Sequence, residues 1–461
     1  MKTTALLQIG FALSLGAPSL PARADVAETP AALRAASPAQ PTSSAPPSTA
    51  DASRAASDAP HPRHVASPPA QRLSSPPRFP VEPSRTASRT MGTGDMASLL
   101  ASRCRQWASA PDNPWALAHG MVLDGRSFRT RDGQPAADAI IARYLRRTPS
   151  TGGSVRAPQV EATPLDSGAS HERLYFEART ADGTPVEPHP ALQLKTLLRS
   201  GHPLSHRFDA AWGPVTVQAL VDQLQRDYRP ALIASPEGAW ALDALSLAHE
   251  PGDSFRDGAG VTVRIDAVMQ EALTTLEAAQ AELTAGMRAG LAQVPKRKQG
   301  IYAHPCGGLH YFQAVAGWAR HATVRKAWRK RLDAQRDVLL YRLDSEGRQY
   351  EAALASVPPE YRLLVLVQML KFQGHLLETL GRYRDDTGWQ PTKAQRRTVE
   401  RARTALESTV RRLDAAGAFD DVPALAKRQP QLALDLVGDT CHAARGEALW
   451  LSAPAAPAPR R

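Results

Sequence analysis

The sequence contains no motif that names a reaction, no apolar run long enough to cross a membrane, and few aromatic residues. The longest apolar candidate, 361–370, is interrupted by Arg362 and Gln368 and falls short of the roughly 20 residues that span a bilayer. A polytopic membrane protein is therefore excluded, and we expect no integral membrane span. Aromatic residues are 6% of the chain and are not interleaved with the basic runs, which argues against a stacking platform for single-stranded nucleic acid.

The net charge of +11 over 461 residues is not concentrated enough to indicate a nucleic-acid partner. Four of the positive charges lie at the two ends of the chain: Lys2, Arg23, Arg460 and Arg461. The basic runs at 325–331 and 396–403 have helical spacing, which is typical of a solvated helix face. The alternative is a stripe that binds phosphate or lipid headgroups.

The first 24 residues have the pattern of an export signal. Lys2 supplies the positive start, 5–17 is uncharged and mostly apolar, and Ala22-Arg23-Ala24 has the small-x-small form of a cleavage site. About 13 apolar residues are too few for a membrane anchor. We therefore expect cleavage near Ala24 and a protein exported to the periplasm or outside the cell.

Residues 25–95 are rich in proline, alanine and serine and poor in large apolar residues. Such a segment cannot bury enough apolar surface to offset the entropy of ordering it. We expect a disordered linker here and a disordered tail at 453–461, with the folded domain at 96–452. The linker offers a route to an envelope protein partner.

Between 96 and 452, nearly every apolar segment has helical spacing. In 215–228, for example, Val217, Leu220, Val221 and Leu224 fall three and four positions apart, on one face of a helix. The same pattern predicts helices at 96–108, 114–123, 136–145, 190–198, 238–249, 263–291, 309–340, 360–383, 394–415 and 433–451. Two segments, 126–136 and 174–187, contain an Asp-Gly turn and predict small β-hairpins.

A folded region of 357 residues is large for one core, and no linker-like break divides it. The best cut point, 148–170, would leave only three helices before it. We therefore predict an all-α fold, an α/α toroid of antiparallel helix pairs with one or two small β-hairpins, preceded by the disordered linker.

The segment His304-Pro-Cys306-Gly-Gly-Leu-His310 is the strongest candidate site. Its two glycines allow a sharp turn before the helix that begins at Leu309, which places Cys306 near the positive end of that helix. A thiol there has a lowered pKa, and its thiolate and the imidazoles are ligands for zinc or copper. The alternative is a glycine-rich helix start whose cysteine and histidines pack in the core.

A second candidate is Gln373-Gly374-His375-Leu-Leu-Glu378. His375 and Glu378 lie three positions apart on one helix face, where a carboxylate can orient an imidazole for metal binding or proton transfer. The alternative is a buried histidine whose hydrogen bond Glu378 satisfies. His119 and the pair Cys441-His442 have the same two interpretations.

Three cysteines outside the cytoplasm form one disulfide with one remaining thiol, or none at all. Cys104 is in the first predicted helix of the domain and Cys441 in the last, and in a ring these two helices are neighbours. A Cys104–Cys441 disulfide would leave Cys306 beside its histidines. The competing pair, Cys306–Cys441, would abolish the metal site.

Several short segments together resemble a bacterial family of uncharacterised exported proteins. They are Asn113-Pro-Trp115…His119-Gly120, Gln193-x6-Ser200-Gly201, Leu247-Ala248-His249, Cys306-Gly-Gly-Leu-His310 and Gly374-His375-Leu-Leu-Glu378. Members of that family look like α/α toroids of the terpenoid-cyclase and prenyltransferase kind, so the resemblance implies a ring of helix pairs over about 96–450. It implies no activity.

Protein prenyltransferases of this superfold hold zinc with an aspartate two residues before a cysteine and with a histidine far downstream. Here His304 stands two residues before Cys306, and His375 lies downstream. The resemblance therefore implies a metal set of His304, Cys306 and His375, with histidine in place of the aspartate. The Asp-x-Asp-Asp signature of squalene-type cyclases is absent.

Three functions remain as expectations. The first is an exported toroid that binds a small-molecule or envelope ligand, with or without zinc, in its central cavity through His119, His304, Cys306, His310, His375 and Glu378. The second is an envelope interaction module. The third is an envelope glycan hydrolase or lyase that uses carboxylates among Glu250, Asp253 and Asp257.

Overall fold

The computed structural model describes residues 93–148, 172–295, 300–303, 306 and 308–452. The expected export signal, almost all of the linker, the tail, His304 and most of 148–170 lie outside the described residues. The first helix begins at Thr93. Residues 93–95, which we assigned to the linker, therefore belong to the folded domain.

The described residues form fifteen α-helices and three two-stranded antiparallel sheets, which confirms a mainly helical fold with small β-hairpins. The helices are α1 (Thr93–Ala108), α2 (Pro114–Asp124), α3 (Ala136–Tyr144), α4 (Leu192–Arg199), α5 (Val217–Asp227), α6 (Ala231–Ala234), α7 (Gly238–Ala248), α8 (Ile265–Ala279), α9 (Ala281–Arg288), α10 (Leu309–Gly317), α11 (Ala322–Ser356), α12 (Arg362–Thr387), α13 (Lys393–Ala415), α14 (Val422–Arg428) and α15 (Pro430–Leu451). The strands pair as β1 (Leu145–Arg147) with β2 (Leu174–Phe176), β3 (Arg207–Ala210) with β4 (Gly213–Thr216), and β5 (Ser254–Arg256) with β6 (Thr262–Arg264).

Local sequence sets where several helices begin. Asn113 accepts a hydrogen bond from the amide of Ala116 at 2.9 Å, and Pro114 fills the first position of α2, where no amide is needed. The hydroxyl of Thr392 and the side chain of Gln395 form a capping box at α13. These caps satisfy amides that the first turn of a helix leaves without partners.

Six helices contact one another in a closed circuit: α2, α4, α7, α10, α12, α15 and back to α2. We call these the inner helices. The helices α1, α3, α5, α8, α11 and α13 alternate with them along the chain, and each packs against at least one inner helix. This alternation is the arrangement predicted as an α/α toroid, and one continuous apolar core runs through it.

The inner helices α12 and α15 run parallel to each other. Their ion and hydrogen-bonded pairs, Lys371 with Asp435 and His375 with Asp439, keep the same offset of 64 positions. Parallel inner neighbours are the geometry expected when an outer helix returns the chain after each inner one. As a result, matching positions on successive inner helices lie at the same level of the ring.

Close backbone contact between α12 and α15 depends on glycine. A Cβ at Gly374 would lie 2.9 Å from the backbone N and Cα of Ala443, and a Cβ at Gly446 would lie 3.0 Å from the amide N of Glu378. Gly438 leaves room for the ring of Trp115, which a Cβ would approach to 2.4 Å. Small residues therefore bring the side chains of α12 and α15 within hydrogen-bonding reach.

Several predicted boundaries were wrong. The predicted helix 263–291 breaks at Gln280, and 309–340 is two helices, the second of which continues to Ser356. The expected hairpins reduce to single bridges, Arg129 with Pro135 and Arg179 with Pro185. Strand β2 pairs instead with β1, from which it is separated by a long stretch of chain. The Asp-Gly turn pattern could not reveal this pairing.

Candidate metal centre

The inner helices direct a cluster of chemically active side chains toward one another. Ring contacts, hydrogen bonds and electrostatic interactions connect the members from helix to helix. The cluster consists of His119 on α2, Lys195 on α4, Trp240 and Asp243 on α7, His310 and Gln313 on α10, His375, Glu378 and Arg382 on α12, and Asp439 and His442 on α15. All six inner helices therefore contribute to one centre.

Four histidines form the middle of this cluster. The ring centroids of His375 and His442 are 3.7 Å apart, and His310 lies 5.0 Å from His375 and 5.5 Å from His442. His119 contacts the edge of His442 at 5.2 Å. His310, His375 and His442 are buried, and His119 is half-buried. Imidazole is the commonest metal ligand in proteins, which makes this group of side chains a candidate metal centre.

Two sets of side chains bring potential ligand atoms together. The Cys306 thiol and one ring nitrogen each of His310 and His375 lie within 4.8 Å of one another. A second set, His375, Glu378 and His442, meets the same limit. Zinc bonds of 2.0–2.3 Å place tetrahedral ligand atoms about 3.5 Å apart, so small side-chain rotations would bring either set onto an ion.

Asp439 orients His375. The Nε2–H of His375 donates to Oδ1 of Asp439 at 3.2 Å, and the Nδ1 atom has no hydrogen-bond partner within the part of the chain that is described. His375 is only 2% exposed, so bulk solvent does not reach this nitrogen. Histidines that bind a metal through one ring nitrogen commonly donate the other N–H to a carboxylate, which fixes the orientation of the ring.

Glu378 orients His442 rather than His375, which corrects our expectation for the pair on α12. The Nδ1–H of His442 donates to Oε2 of Glu378 at 2.5 Å, which leaves the opposite nitrogen of the neutral ring without a proton. His119 is fixed in the same way, since its Nδ1–H donates to the carbonyl of Trp115 at 2.7 Å. The Nδ1 atom of His310 likewise contacts Oε1 of Gln313 at 3.3 Å, so each of the four histidines has a hydrogen bond that sets its tautomer.

Burial keeps these imidazoles neutral. It lowers the pKa of His119 and of His375 to about 3, and it lowers the pKa of His442 well below its ordinary value. Neutral imidazole is the form that binds a metal, so no proton has to leave these side chains at neutral pH. Burial also raises the pKa of Asp439, although Lys371 opposes this from 3.8 Å.

Cys306 lies just before α10. Gly308 has a left-handed backbone (φ 72°), and the carbonyl of Cys306 accepts a hydrogen bond from the Leu309 amide at 3.2 Å. The thiol is half-buried, and the Lys371 ammonium interacts with it electrostatically. A cavity of about 10 Å³, enough for about one water molecule, adjoins Cys306 and His310 and is also lined by Trp240.

The structure therefore brings together five predicted site residues: His119, Cys306, His310, His375 and Glu378. The remaining member of the predicted metal set, His304, lies outside the described residues. Cys104 and Cys441 form a disulfide that links α1 to α15, so the competing pair Cys306–Cys441 is not formed.

Sequence reasoning gave no role to Asp439 or Lys195 and left His442 without a partner. A signal was present in the spacing, since His310, His375 and His442 recur 65 and 67 positions apart. Between α12 and α15, where the level offset is 64 positions, this spacing places His442 three positions beyond the level of His375, with the two ring centroids 3.7 Å apart.

The carboxylates considered for glycan chemistry make local contacts, with backbone amides of their own loop and with His321 at the start of α11. Asp253 accepts the amide of Glu250 at 2.8 Å, and Glu250 lies 3.0 Å from His321. Asp257 accepts two backbone amides of the β5–β6 turn, each at 2.9 Å. These contacts give the loop its shape and do not by themselves indicate a hydrolytic pair.

No helix within the described residues is both long and apolar enough to cross a membrane. Comparison with known proteins finds no matching protein family, no matching curated protein and no matching solved structure.

Proposed function

We propose that this protein is an exported metal-binding protein that holds one zinc ion at the centre of its helical ring. Cys306, His310 and His375 supply three ligands, and His442 is placed to supply the fourth. The mixture of one thiolate and several imidazoles suits zinc, which prefers nitrogen and sulfur ligands. The Cys104–Cys441 disulfide supports export, because such bonds persist in oxidising compartments.

The observation that carries this proposal is the ring of His375. Its Nδ1 atom is buried and lacks a hydrogen bond within the described residues, while Asp439 holds the other nitrogen. Leaving a buried polar atom unsatisfied costs about 1–3 kcal/mol. A bound ion removes this cost, and the neighbouring ligand atoms of Cys306 and His310 are already within reach.

The test is elemental analysis of the purified protein after equilibration with zinc and removal of the excess. We expect one zinc per chain in the wild type, and loss of the ion in Cys306→Ala and His375→Gln. His206→Gln is the matched control, because His206 lies in a loop outside the cluster. Absence of bound zinc in the wild type, or equal retention in all variants, would contradict the proposal.

The ion could stabilise the ring or take part in a reaction, and the fourth position decides between these roles. A structural zinc site is closed by four protein ligands, whereas a catalytic site keeps one position open. Substitution His442→Gln therefore separates the two. Loss of zinc shows a closed site, and retention with unchanged stoichiometry shows an open one.

A further inference from the structure

Lys195 is a buried lysine at the ring centre. It lies on the inner helix α4, is 3% exposed, and has no carboxylate oxygen within 4.0 Å and no hydrogen bond in the described part of the chain. A lysine side chain is rarely buried to this extent without a carboxylate partner. The zinc site proposed above gives this side chain no role.

The nearest acidic groups are already engaged by other cations. Asp243 accepts two hydrogen bonds from Arg199, at 3.1 and 2.5 Å, and one from Arg382 at 3.3 Å. Glu378 binds a histidine of α15 and lies 3.6 Å from Arg382. A third carboxylate, Asp386, also acts on Arg199 and Arg382, so the acidic groups around Lys195 are engaged by the two arginines and by a histidine.

Lys195 faces the histidine cluster. Its charge acts on His119 of α2, His375 of α12 and His442 of α15, and Asp243 of α7 acts on it in turn. Groups on four other inner helices can surround one side chain only if it is directed toward the ring centre. Burial is the main cause that lowers the pKa of Lys195 to about 8, and a charged ammonium remains the main form at neutral pH.

A zinc ion would increase the positive charge further, because the set proposed above offers it a single thiolate and otherwise neutral imidazoles. Uncompensated buried charge is costly, and a bound anion offsets it. The half-buried side chains of Cys306 and His119 show that solvent reaches the edge of the cluster.

We propose that the ring centre binds a small ligand through an oxyanion group, a carboxylate or a phosphate, held between the Lys195 ammonium and the metal ion. Lysine serves here as a compact point charge with three donors. The metal end of this site rests on the function proposed above, whereas the lysine end rests on the burial and the engaged carboxylates alone.

The test is calorimetric titration of inorganic phosphate and of acetate into zinc-loaded and metal-free protein. We expect the zinc-loaded wild type to bind at least one of these anions, and Lys195→Met to weaken that binding at least tenfold while keeping one zinc per chain. Lys195→Arg, which retains the charge, should restore part of the affinity. Lys326→Met, at an exposed position of α11, is the control that should bind as the wild type does.

The outcomes separate the two proposals. Zinc binding without binding of either anion at millimolar concentration, or equal binding by Lys195→Met, would overturn the anion site and leave the metal site standing. Anion binding by metal-free protein that is lost in Lys195→Met would support the lysine end even if zinc does not bind. Preference for phosphate over acetate, or the reverse, identifies the ligand class.

Discussion

Substitution Gly374→Ala should loosen the contact between α12 and α15. The added Cβ would lie 2.9 Å from backbone atoms of Ala443, which cannot move independently of α15, so the helices must separate by about half an ångström. Overpacking of this kind costs about 1–3 kcal/mol, and we expect the upper end because the clash is with backbone. The better helix propensity of alanine offsets about 1 kcal/mol, which leaves a net loss of about 2 kcal/mol.

The matched control is Gly347→Ala on α11. Nothing lies within 4 Å of a Cβ at this position, so only the propensity gain of about 1 kcal/mol remains. Urea unfolding followed by circular dichroism should therefore shift in opposite directions for the two variants. Zinc affinity should fall at least about tenfold for Gly374→Ala alone, because metal ligands tolerate shifts of only about 0.5 Å. An unchanged or increased stability of Gly374→Ala would refute the close packing.

Three further perturbations follow from the structure. Asp439→Asn should weaken zinc binding about 10- to 100-fold, as loss of the carboxylate that orients a metal-binding histidine does. Competition with a chromogenic chelator measures this, and an unchanged affinity would count against the ligand role of His375. Reduction of the Cys104–Cys441 disulfide, which closes a loop of 337 positions, should lower the free energy of unfolding by up to about 5 kcal/mol; identical unfolding midpoints with and without reductant would contradict this. Burial raises the pKa of Glu187 to about 7. The protonated side chain therefore contributes its full share of the folding stability below pH 4.5, and this share is lost as the pH rises through 7. Between pH 4.5 and pH 8, Glu187→Gln should gain stability relative to the wild type, and plots of unfolding free energy against pH that stay parallel for the two proteins would argue against the raised pKa.

The helical fold could be predicted because apolar spacing is a local property. The stripe in 215–228 became α5, and the segment 394–415 became α13 within one residue at its start. The break at Gln280 could not be predicted, because no proline or glycine marks it and the apolar pattern continues into α9. Strand β2 was misassigned for a different reason: its partner β1 lies before a stretch of unrelated sequence.

The candidate site was predictable only within each helix. Cys306 and His310 are close in sequence, and the pair His375 and Glu378 shares a face of α12, so both appeared as candidates. Their partners are on other helices. The exchange in which Asp439 orients His375 while Glu378 orients His442 depends on the register between two parallel helices, to which the glycine contacts along α12 and α15 contribute.

The last described helix, α15, carries Asp439, Cys441 and His442, and the first inner helix carries His119, 323 positions earlier in the chain. A nascent chain that does not yet include α15 therefore lacks one of the four clustered histidines and the second cysteine of the disulfide. Shorter amino-terminal fragments have the same deficit, whatever their stability. The disulfide and the ligand set of the proposed zinc site therefore both become complete only when α15 has been made.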